Sequence, residues 1–193
     1  GYVWATKCIK FNQAIFEWLE KNKSIEFVIL SSPFEWISKH SVLVKNGTIK
    51  NSNFDFVVNS FSQTIKKLRD LGIGVVLVSP TPKNRIDIGK CLEQKTRFKL
   101  DINCNFSLTN KSLNFEFIEA MQEYVNVYWI HEDICRDGIC YSENENKFIF
   151  RDYSHLSKEG SHVLGKKNDW YFRMRNLALD DSRFFQKEND STN

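Results

Sequence analysis

The chain has 193 residues, with 27 Lys+Arg against 24 Asp+Glu for a formal net charge of +3, and is 41% hydrophobic and 14% aromatic. Such a length and apolar content suit one domain with a real core and exclude collagen-like, low-complexity and largely disordered chains. No apolar run reaches the roughly 20 residues of a membrane helix, and so small a charge makes no case for nucleic acid or a membrane surface as a partner.

In chain order, Phe11, Ile15, Trp18 and Leu19 recur at helical spacing and predict an amphipathic helix from about Phe11 to Lys23. Phe27-Val28-Ile29-Leu30 is a short continuous apolar run, the pattern of a strand covered on both faces. The polar stretch from His40 to Asn53, broken by Asn46-Gly47, reads as a loop or small hairpin. A second unit follows: Phe54, Val57, Val58, Phe61, Ile65 and Leu68 mark a helix face, Leu71-Gly72 closes it, and Val75 to Val78 forms a buried strand. Pro80 and Pro82 stop that strand, and Lys83 to Lys111 then reads as a long irregular stretch holding Cys91 and Cys104. A loop that long inside a compact domain is either functional or stapled.

The third unit has a helix marked by Leu113, Phe117, Ile118 and Met121 and a strand from Val125 to Ile130. A short apolar run, Phe148-Ile149-Phe150, precedes a polar turn and a helix from His155 to about Lys167. The domain is therefore placed at residues 1–167, with 168–193 as a C-terminal tail, partly helical and then disordered. Repeated helix–strand units predict an α/β fold, a parallel sheet with helices on both faces. Ligands in such sheets bind beyond the carboxyl ends of the strands. Here that means just after Leu30, after Val78 and after the last strand.

Five cysteines leave one odd. Cys91 with Cys104, and Cys135 with Cys140, lie close enough in sequence to suggest local disulfides and an oxidising compartment, with Cys8 left over. Five buried thiols in a reducing compartment is the alternative. The Cys135/Cys140 spacing is not a tight zinc knuckle, and no second pair sits at ligand spacing, so no metal is expected.

The strongest chemical signal is Asp152-Tyr153-Ser154-His155-Leu156-Ser157. An Asp three residues before a His at a turn can hold the imidazole by Nδ1–H and leave Nε2 to take a proton from a nucleophile. The alternative is an N-cap, with Asp152 or Ser154 starting the helix near His155 and the ring merely packed. Ser32 as a nucleophile lacks any sign of the strained elbow an exposed Ser needs. His131 could face the site but reads better as a surface or satisfied histidine. Trp18 and Trp129 read as core residues, whereas Trp36, in a loop after a strand end, is a candidate for stacking on a sugar ring.

The run Phe148 to Ser161, with its Asp-x-x-His-Leu-Ser-x-x-Gly, resembles the C-terminal block of SGNH hydrolases, and more narrowly that of SGNH domains fused to acyltransferase-3 membrane proteins. Cys8 with Phe11-Asn12-Gln13-Ala14, then Phe27 to Leu30, is similar to that branch's second strand unit. Gly74 to Pro82 is similar to its strand ending in a Pro-x-Pro turn, and Cys91, Cys104, Cys135 and Cys140 to its cysteine framework. The resemblance implies a three-layer α/β/α, flavodoxin-like parallel sheet and a Ser-His-Asp triad with His155 as base and Asp152 orienting it. It also implies transfer of an acyl group, acetyl by default, onto hydroxyls of cell-surface or secreted glycans.

The departures from the family pattern carry expectations too. No Gly-Asp-Ser occurs in this sequence, so the first strand, the nucleophilic Ser and the partner of Cys8 are expected upstream of Gly1, and this chain alone is expected to be inactive. Where the branch often has Arg-Trp as oxyanion donor, this chain has Pro33-Phe34. The implied partners are a glycan acceptor and an acyl donor supplied by a membrane acyltransferase domain of the parent chain, with no cofactor. The implied location is an extracytoplasmic domain of a membrane protein: periplasmic, extracellular or lumenal. A carbohydrate acyl esterase and a non-catalytic SGNH-like binding domain are the competing readings.

Overall fold

The computed structural model of the chain describes residues 3–32, 34, 42–45, 48–51, 53–108 and 113–180. Helix α1 (Val3–Lys21) starts earlier than its apolar spacing predicts and leads into strand β1 (Phe27–Ser31). Of the expected stripe only Leu19 is buried; Phe11, Ile15 and Trp18 are exposed, so Trp18 is not a core residue. Strands β2 (Val42–Lys45) and β3 (Thr48–Asn51) form an antiparallel hairpin where the sequence allowed a loop or hairpin.

Helix α2 (Phe54–Asp70) begins where Asn53 caps it, Oδ1 accepting the Phe56 N–H at 2.8 Å. Strand β4 (Gly74–Val78) follows and is buried throughout. It is the centre of a parallel sheet ordered β1, β4 and then β6 (Asn126–Tyr128). β1 and β4 pair directly along five residues, so no strand lies between them.

Alternation along β4 builds the layers, because successive side chains point to opposite faces. Val75 and Leu77 join one core with Leu19, Val58, Ile65 and Phe117, beneath α1, α2 and helix α4 (Leu113–Met121). Val76 and Val78 join a second core on the other face with Ile88, Leu92, Leu164 and Met174. The fold is thus the expected three-layer α/β/α arrangement.

Two longer segments differ from the sequence reading. The stretch from Lys83 to Lys111 is not irregular throughout, because it contains helix α3 (Ile88–Phe98). Asp87 caps α3 by accepting the Lys90 N–H at 2.9 Å. Its buried face is only Ile88, Leu92 and the half-buried Cys91 among charged neighbours, too sparse a stripe to announce a helix. The second difference lies past residue 167. Strands β5 (Phe106–Ser107), β7 (Cys135–Arg136) and β8 (Ile139–Cys140) form a small sheet; β9 (Glu143–Asn144) and β10 (Lys147–Phe148) pair before helix α5 (Lys158–Lys167). Helix α6 (Trp170–Leu179) then packs on all three parallel strands with Met174 and Ala178 buried, so this part of the expected tail is a core layer.

Cys91 on α3 is disulfide-bonded to Cys104, and Cys135 is bonded to Cys140 across the β7–β8 hairpin; Cys8 is an exposed free thiol. Closing the 13-residue separation between Cys91 and Cys104 should contribute about 3 kcal/mol by restricting the unfolded chain. Thiol titration of the denatured, unreduced protein is expected to find a single reactive group, and the paired Cys91→Ser, Cys104→Ser variant to unfold at lower urea. Five thiols before reduction would refute the pairing.

Candidate active site

The segment after β10 folds back on itself. Phe150 bridges Leu156, and the Arg151 N–H donates to the His155 carbonyl at 2.8 Å, closing a tight turn over residues 151–155. Inside it Asp152 Oδ1 accepts the N–H groups of Ser154 (2.9 Å) and His155 (2.8 Å). Its Oδ2 lies 2.8 Å from His155 Nδ1. One carboxylate thus shapes the turn and holds the ring it serves. Helix α5 starts only at Lys158 and its cap is Ser157, so neither Asp152 nor Ser154 is the N-cap.

The rest of the motif has equally local causes. Ser157 Oγ accepts the Gly160 N–H at 2.8 Å and donates to the Phe148 carbonyl, locking the start of α5 to the end of β10. A Cβ on Gly160 would sit 2.6 Å from Ile149 Cα, closer than real atoms approach, so the helix can lie on this strand only with glycine there. At Gly89 a Cβ would stand 1.9 Å from the Arg151 carbonyl oxygen, so α3 braces the same turn from the other side.

Burial alone would raise the Asp152 carboxyl, but the backbone N–H groups of His155 and Ser154 and the His155 ring outweigh it and bring its pKa to about 2. The Arg151 guanidinium adds a cation 3.6 Å from Oδ2. Asp152 is therefore a carboxylate at any ordinary pH, and a carboxylate facing Nδ1 selects the tautomer with hydrogen on Nδ1.

His155 opens onto a cleft of about 390 Å³, lined also by Ser31, Ser32, Val78, Lys83 and Tyr153. Ser31, Ser32, Val78 and Lys83 end or follow β1 and β4, so the cleft lies at the carboxyl edge of the sheet, where the topology places ligands. The His155 side chain is 60% exposed, and among the described residues nothing bonds its Nε2.

The family described as an SGNH domain fused to AT3 domains matches residues 1–167. The chain belongs to that family. No curated protein and no solved structure matches it.

Other candidate residues of this SGNH domain lie elsewhere. Phe34, at the expected oxyanion position, adopts left-handed φ 51° and packs into the core against Phe61 and Phe117. Its N–H donates to Ser32 Oγ at 3.3 Å and so is turned to its own loop. Pro33 and Trp36 lie outside the described residues. His131 does not line the cleft: it packs between Phe115 and Trp129, with Nδ1 buried and unpartnered, and burial lowers its pKa. Trp129 stacks on Phe115 and is only half-buried. Among the described residues no His, Cys, Asp and Glu cluster forms a metal site, and no helix is long and apolar enough to cross a membrane.

Two features of the domain escaped the sequence reading. Lys83 reaches the cleft from the loop after β4. Asp133 lies almost fully buried in a 3-10 turn (Ile130–Asp133) beyond β6. Its Oδ2 accepts from Tyr128 Oη at 2.5 Å and Trp170 Nε1 at 2.7 Å, and its Oδ1 pairs with Arg173 at 3.0 Å. This hub fastens α6, which lies beyond the matched residues, to the sheet. Trp170 and Arg173, three apart on one helix face, were the available signal.

Proposed function

We propose that this SGNH domain carries the His-Asp part of an acyl-transfer site, moving an acyl group, acetyl by default, onto a hydroxyl of a cell-surface or secreted glycan. The observation that carries the reading is the imidazole of His155, held by Asp152 through Nδ1 and lining the cleft at the sheet's carboxyl edge. Membership of a family fused to AT3 domains supports an acyltransferase setting. The two disulfides fit an oxidising, extracytoplasmic location.

In this mechanism a serine from a Gly-Asp-Ser block N-terminal to Gly1 attacks the donor's acyl carbon. Its proton passes to His155 Nε2 and on to the departing donor group. The glycan hydroxyl then attacks the acyl-serine, giving its proton to Nε2, and Nε2 returns that proton to serine Oγ. Asp152 stabilises the imidazolium in both halves. Without such a serine His155 has nothing to activate, and the 193-residue chain alone is expected to be inactive.

The openness of the His155 ring favours a second reading, because water can then compete with a sugar hydroxyl for the acyl-enzyme. A partition assay separates the two. The full-length parent protein is given an isotopically labelled acyl donor with and without glycan, and label is followed into acceptor and into free acid. Acceptor-dependent label in the glycan is the expected result. Free acid at a rate indifferent to glycan would make the protein an esterase. No turnover of either kind would leave a binding domain.

A further inference from the structure

Resting on the acyl-transfer reading for its acceptor, we propose that a pocket beside the cleft is a second glycan subsite, binding one uncharged sugar ring next to the unit that receives the acyl group. The pocket encloses about 240 Å³, less than the roughly 300 Å³ at which sites for drug-sized ligands begin, so it suits one ring and not a longer chain. It meets the cleft at the 3-10 turn after β6. Ile130, the first residue of that turn, lines the cleft and donates its N–H to Ser79 Oγ at 3.1 Å in the same wall, whereas Glu132 and Asp133 line the pocket. Ile149, also in the pocket, stands two places before Arg151, where the His155 turn begins. Two chain paths thus tie the pocket to the cleft, and neighbouring units of one glycan can occupy both.

A pyranose ring has apolar C–H faces and a rim of hydroxyls, and the lining answers both. Ile134, Ile149 and Leu164 are buried and give an apolar floor, and Tyr141, 43% exposed, adds aromatic surface. The polar wall carries both signs: the Glu132 carboxylate, the Arg136 guanidinium and the Lys167 ammonium, with the amides of Asn144 and Asn168. A hydroxyl donates and accepts and so suits every one of these groups, while an anion meets Glu132 and a cation meets Arg136 and Lys167. The wall is also set in place. The Cys135–Cys140 disulfide joins the chain neighbours of Arg136 and Tyr141, and the Tyr141 N–H donates to the Ile134 carbonyl at 3.1 Å. Lys95 pairs with Glu143 at 2.6 Å, next to Asn144, and Asn168 Nδ2 donates to the Leu164 carbonyl at 3.0 Å. A site held this way pays little ordering entropy when a ligand enters.

The test is an NMR titration of the chain, reading the Arg136, Tyr141 and Asn144 amides. The probes are the methyl glycosides of glucose, galactose, mannose, rhamnose and N-acetylglucosamine, with acetate, methylammonium and glycine as an anion, a cation and a zwitterion. At least one glycoside is expected to move these amides and to saturate at a concentration about tenfold below any charged probe. Tyr141→Ala should weaken that binding about tenfold and Tyr141→Phe should keep most of it, since the aromatic ring makes the contact. Unchanged amide spectra elsewhere show that both variants fold. No shift with any glycoside, or undiminished binding in Tyr141→Ala, would overturn the proposal. Acetate, methylammonium or glycine saturating first would overturn the sugar class. In the full-length parent, Tyr141→Ala should raise the KM for glycan about tenfold and lower kcat far less, the split of a contact that holds substrate and transition state alike; an unchanged KM would remove the subsite from the acceptor path and so refute it. Failure of acyl transfer itself shows differently: glycoside binding at the pocket with no His155-dependent turnover in the parent keeps the sugar site and removes the catalytic reading.

Discussion

In the full-length protein, His155→Ala is expected to lower acyl transfer to the glycan by roughly 10⁴-fold or more, because removing a triad base leaves only binding and oxyanion stabilisation. Asp152→Asn is the sharper variant. Asn keeps an oxygen for the Ser154 and His155 N–H groups, so the turn survives. Its amide donor, however, can replace the acceptor at Nδ1 and select the wrong tautomer, and a loss of about 10⁴-fold is again expected. Asp152→Ala would also strip the turn of its acceptor and confuse folding with catalysis. Initial rates of label incorporation, with near-UV circular dichroism as the folding control, check both variants. Activity of the Asp152→Asn variant within tenfold of the natural protein would rule out the triad role.

The pH dependence follows from the same geometry. The Asp152 pKa of about 2 lies below the ordinary value of 3.8, so this carboxylate is ionised across the working range and protonates only in strong acid. Asp152 itself should therefore add no ionisation step to the rate profile at any working pH, and activity should not fall through loss of this carboxylate until strong acid. On the linkage side, a depressed carboxyl pKa adds stability that is present above about pH 4 and is lost as pH falls toward 2.

Asp133→Ala should destabilise the fold by about 2–3 kcal/mol, chiefly because the buried Tyr128 hydroxyl and the half-buried Trp170 indole N–H lose their acceptor. The loss leaves Arg173 without its carboxylate and the Tyr128 hydroxyl and Trp170 indole N–H without their acceptor. Arg173 also stacks over the Tyr128 ring at 4.8 Å, but its side chain is 47% exposed and stays solvated, so the ion pair itself adds little. At this chain length the melting temperature should fall by about 10 °C. Urea unfolding with an unchanged slope is the check, and Trp170→Phe in the same background should cost little more once the acceptor is gone. A loss under about 1 kcal/mol would mean that apolar packing of Met174 and Ala178 alone holds α6.

Much of the fold was legible because its causes are short-range or periodic. In β4, a five-residue apolar run with both faces covered announces a central parallel strand. Asp152 and His155 meet because a turn of four residues brings them together whatever the rest of the chain does, while Ser157 and Gly160 serve the cap and the close approach within one helical turn. Helix α3 was not legible, since half of what it buries is a disulfide and the turn against Gly89, neither of which has a period. The stripe on α1 misled for the opposite reason: periodicity reports an apolar face but not whether anything covers it.

What the sequence by itself determined is the set of interactions that close within a few residues: the Asp152–His155 pair, the caps, the buried strands and the layered α/β architecture they imply. Only the tertiary structure decided which distant groups share a space. It brought Lys83 to the wall beside His155, drew Phe34 into the core and away from the cleft, and gathered Tyr128, Trp170 and Arg173 around the buried Asp133 carboxylate. Those placements depend on sheet order and on how loops fold back across it, and local spacing carries neither.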